Sequence, residues 1–130
     1  NPTANRDLVF NELMVDWDEP IVLVEGVFDA IKAGQNAIPI LGSTLREKSR
    51  LFQAIAIHDT PVYMALDQDA EKKAEWIMKS LLKYDLEVFK IPIDDEDVGD
   101  MSGEEFNQRY QAAEPIDSDM YFFNKILQNI

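Results

Sequence analysis

Residues 62–74 read VYMALDQDAEKKA. A strand-forming apolar run, Val62 to Leu66, ends on Asp67 and Asp69 and passes at once into a helical pattern. The run is nearly continuous in its hydrophobicity rather than alternating, as expected for a strand covered on both faces of a parallel sheet. The pattern that follows sets Ala70, Ala74, Ile77, Met78, Leu81 and Leu82 at spacings of three and four, which gives a helix one apolar face to lay on that sheet. A strand, a carboxylate junction and a helix form the unit from which the rest of the chain is read.

The unit recurs on both sides. Upstream, Ile21–Val24 runs into Glu25-Gly26 and a short helical pattern, Val27–Ala33, which Gly34 stops. Ala37–Leu41 then runs into Gly42-Ser43, followed by a helical pattern over Leu45–Ile57. Downstream, Glu87–Ile91 is a fourth strand-like run. The acid-dense stretch DDEDVGDMSGEE (residues 94–105) comes next, then helical patterns over Gly103–Ala113 and Ser118–Gln128. This alternation implies an α/β fold in three layers, a mostly parallel four-stranded sheet with helices on both faces and right-handed crossovers. Residues 1–19 read as an arm or short helix, 20–105 as the α/β domain and 106–130 as a C-terminal helical extension. No internal repeat or low-complexity segment interrupts them.

A chain of 130 residues, 46% apolar, has room for one domain with a real core. The absence of cysteine excludes disulfides and thiolate metal sites and fits a reducing, cytoplasmic setting. One histidine excludes a multi-histidine zinc site. No apolar run approaches the ~20 residues of a membrane span, so no membrane partner is expected. The chain opens on Asn1 rather than Met and is expected to be a piece of a longer protein. Its net charge of -13 opposes binding that relies on phosphate neutralisation, so the chain alone should hold nucleic acid weakly.

The positions of the acids carry more than their number. In an open parallel sheet, ligands bind beyond the carboxyl ends of the strands. Glu25, the Asp67/Asp69 pair and the acids of 94–100 all fall there, while Gly42 lets a backbone or ligand approach closely. Gathered carboxylates repel one another until a cation intervenes, and an all-oxygen donor set selects a hard one, Mg²⁺ or Mn²⁺. The competing readings are solvated strand ends and helix caps, with Asp69 capping the helix at Ala70 and Asp100 the helix after it. Asp94, Asp95 and Glu96 read as solvated loop. LREKSR (residues 45–50) is the densest basic patch, and Arg46 and Lys48 are candidate phosphate contacts against a plain solvated helix face. Lys72 and Lys73 stand in a first helical turn, where the helix dipole disfavours cations, and a nearby phosphate would reverse that preference. His58, Trp17, Trp76 and MYFF (residues 120–123) read as structural, MYFF alternatively as a face for a further domain.

Taken together, VLVEGVFDAIKAG, AIPILGSTL, VYMALDQDAEKKA and EDVGDMS resemble the Toprim domain, over about residues 20–105, and within it the primase branch. Bacterial and phage DNA primases, type IA and type II topoisomerases and some nucleases share that domain. The resemblance implies that Glu25 is the catalytic glutamate, that Asp67 and Asp69 form the metal-binding pair, and that Asp97 and Asp100 belong to the last acidic motif. Gly26 and Asp29 fall in the supporting Glu-Gly segment. Two departures stand out: Val98 replaces a frequent proline, and Ala70-Glu71-Lys72 stands where many members carry glycine. The implied activity is Mg²⁺-dependent nucleotidyl transfer for RNA primer synthesis. The implied partners, in the full-length parent, are nucleotides, single-stranded DNA, the parent's other domains and a replicative helicase. A nuclease or topoisomerase domain that cleaves DNA is the alternative within the family. A non-catalytic cation-binding module is the alternative outside it. Haloacid dehalogenase-type phosphatases also use Asp-x-Asp, but at their first strand rather than a third.

Overall fold

The computed structural model describes residues 14–34, 36–40, 45–93, 98–117 and 127. Strand β1 (Ile21–Val24) is buried along its whole length. It pairs in parallel with β2 (Ala37–Pro39) on one side and with β3 (Val62–Ala65) on the other. Strand β4 (Val88–Lys90) continues the parallel sheet beyond β3. Among the described residues the sheet has five strands, not the four expected: β5 (Glu114–Pro115) pairs antiparallel with β4, and the order is β2-β1-β3-β4-β5. Two residues with no apolar run leave no period to read. β5 is defined by its partner, with the Ile116 N–H donating to the Val88 carbonyl at 2.7 Å. Its proline is tolerated because the strand lies at the sheet edge.

Alternate residues of the strands face opposite ways and build a core on each face of the sheet. On one face Ile21, Leu23, Val62 and Met64 meet α2 (Arg50–His58) and α3 (Glu71–Lys83), through Phe52, Ile55, Ile77 and Leu81. On the other, Val22, Val24 and Ala65 meet α1 (Val27–Ala33) and α4 (Gly103–Gln111), through Ala30, Ala33 and Phe106. Three layers result, as the alternation requires. Tyr110 of α4 stacks on Tyr63 of β3 at 4.4 Å, and Tyr63 in turn stacks on Phe89 of β4 at 4.6 Å. Helix α4 thus runs across the 105/106 boundary drawn from the sequence.

The helix ends follow local chemistry. Gly34, at φ 111°, takes the left-handed backbone that stops α1. Helix α2 begins at Arg50 rather than Leu45, because the Ser49 hydroxyl accepts the Phe52 N–H at 3.1 Å and caps it there. Leu45 is buried in the chain ahead of the cap. Residues 14–20 lie against the domain. The Asn36 amide donates to the carbonyls of Asp16 at 2.8 Å and Pro20 at 3.0 Å, and the Thr60 hydroxyl donates to that of Trp17 at 2.9 Å. His58 stacks on Trp17 with ring centroids 5.2 Å apart, in keeping with a structural role. Trp76 departs from expectation: it is 47% exposed. The outer side of α1 leaves Val27, Phe28 and Ile31 exposed.

Gly42-Ser43, Asp94, Asp95, Glu96, Asp97, the arm over 1–13 and the MYFF run lie outside the described residues, as does most of the helical pattern expected over Ser118–Gln128. No helix of the described residues is long and apolar enough to cross a membrane.

Candidate functional site

From β1 the chain crosses to β2 on one side. From β3 it moves to β4 on the other. The crevice between β1 and β3 is therefore the switch point of the sheet, where open α/β folds place their ligands. Val24 stands beside Ala65 in register, so Glu25 leaves β1 level with the segment that leads from β3 to Asp67. Beyond these strand ends lies a cleft of about 590 Å³ lined by Glu25, Asp67, Asp69, Ala70, Glu71, Lys72 and Lys73. The three acids expected at one edge from β1 and β3 do line one cleft.

Glu25 is held on one side only. Its Oε1 accepts a hydrogen bond from Lys73 Nζ at 2.8 Å, an ion pair in which the lysine side chain is 18% exposed and the glutamate 26%. Its Oε2 is buried with no hydrogen-bond partner among the described residues. Asp67 also has a buried side-chain oxygen, Oδ1. The Asp67 carbonyl accepts the Ala70 N–H at 2.9 Å and closes a single 3₁₀ turn, Gln68–Ala70, ahead of α3. The N-cap position of α3 is Ala70, with no side-chain capping bond, so neither aspartate serves as its cap. Asp69 is exposed at the cleft wall.

Asp29 fastens the Glu25 loop to the acidic loop. Its Oδ2 accepts the Gly26 N–H at 3.0 Å, and its Oδ1 accepts the Gly99 N–H at 2.7 Å. The first bond is the return half of a capping box, with the N3 carboxylate reaching back to the N-cap amide. The second crosses to the 3₁₀ turn Val98–Asp100. A Cβ on Gly99 would sit 3.0 Å from Asp29 Oδ1, so glycine allows this close approach. Asp100 is exposed and does not cap α4; Ser102 does, accepting the Glu105 N–H at 3.0 Å. Arg46 and Lys48 are exposed in the chain before α2, and neither is among the residues that line the cleft. Lys72 is exposed at its rim.

The donors that line the cleft are carboxylate oxygens, the set a hard divalent cation takes. Glu25 Oε2, buried without a partner, is the kind of atom a cation would satisfy. Among the described residues, however, no three His, Cys, Asp or Glu side chains stand grouped so as to hold a metal. Asp97, the remaining expected ligand, is not among them. Sequence reasoning missed the Lys73–Glu25 pair, which joins residues 48 positions apart and has no local signature. It also missed the hold of Asp29 on Gly99. The return bond to Gly26 was open to inference from an acid three residues past a glycine cap.

Fold and cleft together define a mostly parallel α/β domain with an acidic cleft at its switch point. Among solved structures it is similar to the Aquifex aeolicus primase, determined as its zinc-binding and RNA polymerase domains: TM-score 0.61 and 21% identity, over 76% of this chain and 27% of that one. The chain thus has a primase-like fold and spans about a quarter of the length of that relative. No family model matches the sequence, and no curated protein matches it significantly.

Proposed function

We propose that this chain is the catalytic domain of a DNA primase of the Toprim type, carrying out nucleotidyl transfer for RNA primer synthesis with Mg²⁺ or Mn²⁺. The observation that supports this most is the placing of Glu25 with Asp67 and Asp69 in one cleft, at the switch point of a primase-like sheet. Asp67 and Asp69, with Asp97 from the acidic loop, would hold the cation, which would neutralise the phosphates of an incoming nucleotide. Glu25 Oε2, buried and without a hydrogen-bond partner among the described residues, would take the proton of an attacking hydroxyl or join the cation's shell. Asp29 holds the Glu25 loop and the Gly99 turn in register, so it positions the site without touching the reacting atoms. Lys72, exposed in the cleft wall, would meet phosphate. In this reading nucleotides, single-stranded DNA, the parent's other domains and a replicative helicase would be the partners in the full-length parent, and the charge of -13 makes tight DNA binding by this chain alone unexpected.

The test is primer synthesis by the full-length parent. Glu25→Gln keeps the shape of the side chain and removes its charge, so nucleotide-dependent RNA synthesis should fall by at least ~100-fold while the fold persists. Normal synthesis would reduce Glu25 to a strand end. Metal-dependent DNA cleavage that needs no nucleotides and is lost on the same change would instead identify a nuclease or topoisomerase domain.

A further inference from the structure

Lys73 stands in the first turn of α3, where the helix dipole is unfavourable to a cation. Its side chain is nevertheless drawn in to 18% exposure, and Nζ sits 2.8 Å from Glu25 Oε1. An ion pair so far out of water loses hydration that mutual attraction only partly returns, so it persists where the surroundings demand a cation. Here they do: Asp67, Asp69 and Glu71 line the same cleft, against one further cation, the exposed Lys72. The ion pair leaves the second oxygen of Glu25 buried with no hydrogen-bond partner among the described residues, so the lysine balances the charge without completing the donor set. A lysine suits a reversible cation, since its single charge rides on a flexible stem and lacks the fixed fork of arginine.

We infer that Lys73 is a built-in counter-cation of the cleft: it holds Glu25 while no divalent ion is bound and withdraws from Oε1 when one enters. Metal loading is then an exchange of one cation for another, and Lys73 sets the ion concentration at which the site fills. This rests on the reading of the cleft as a divalent-cation site.

Mn²⁺ binding to the 130-residue chain tests both statements separately, by titration calorimetry or by the paramagnetic resonance of free Mn²⁺. Lys73→Met should bind Mn²⁺ on the order of tenfold more tightly than the unaltered chain, the scale of one part-buried charge pair. Lys73→Arg, which keeps the charge on a less readily displaced fork, should bind no more tightly than the unaltered chain, and Asp67→Asn should lose most of the affinity. If Lys73→Met binds no more tightly while Asp67→Asn still abolishes binding, the exchange is overturned and the metal site stands. If Mn²⁺ binds neither the unaltered chain nor Lys73→Met, both fall. A measurement on the unaltered chain guards against a variant that does not fold. The side-chain NMR signals of Lys73 should move as diamagnetic Mg²⁺ saturates the site, and signals that stay fixed would overturn the exchange.

Discussion

Replacing Asp29 should loosen the acidic edge of the sheet by a calculable amount. Its carboxylate accepts two backbone N–H groups, from Gly26 at 3.0 Å and Gly99 at 2.7 Å, both part-buried. A hydrogen bond to a charged group is worth about 1.5–3 kcal/mol, and part exposure argues for the lower end. Asp29→Ala removes both and should cost about 3 kcal/mol. In a chain of this size that lowers the thermal midpoint by roughly 10 °C. Asp29→Asn keeps the shape but offers one acceptor and two donors, so one backbone N–H meets another donor, and the cost should be about 1–2 kcal/mol. Urea denaturation of the three proteins measures these differences, with the slope unchanged if only the folded state is affected. Hydrogen exchange locates the effect, since the Gly99 and Gly26 amides should lose protection while the core of β1 keeps it. A loss below about 0.5 kcal/mol for Asp29→Ala would place it among ordinary surface changes and refute the argument.

Two further outcomes test the far side of the sheet. Phe106 is 6% exposed in the core beneath α4, so Phe106→Ala should cost about 3–5 kcal/mol in the same denaturation experiment; a loss under about 1 kcal/mol would mean that α4 is an appendage beyond residue 105. Burial, with the neighbouring Tyr63 adding to it, pushes the Tyr110 hydroxyl up to about 12 from its ordinary 10.0. The raised value means that the folded chain holds this proton longer than the unfolded chain. The associated stability is therefore complete below about pH 10 and is lost as the pH climbs through about 12. A titration of phenolate absorbance should show a late component that Tyr110→Phe removes, and a curve that the substitution leaves unchanged would refute the assignment.

The sequence disclosed what depends on period and on local stops. β1 came out with its bounds because four apolar residues meet Glu-Gly, and α1 because Gly34 ends it. The first two carboxylate sites were legible because a parallel sheet sends every strand's carboxyl end to one edge. What was not legible depends on partners distant in the chain. The two residues of β5 have strand geometry only because β4 is beside them. The start of α2 was placed early because Leu45 continues the apolar period, although Ser49 decides the boundary. Trp76 fell at a spacing that suits a surface as well as a core. The Lys73–Glu25 pair is a tertiary contact between two elements that periodicity treats separately.

The reach of the Asp29–Gly99 bond has a consequence in time. It joins positions 70 residues apart, so it closes one of the longer loops in the domain. Such contacts must overcome chain entropy before they return any free energy, and they tend to form late. During synthesis from the N-terminus, Glu25, Gly26 and Asp29 leave the ribosome well before Gly99 does, and by then β1, β2 and β3 can already pair. The first three strands can therefore pair before the acidic edge is tied, and the turn that carries Gly99 completes the clasp when it arrives.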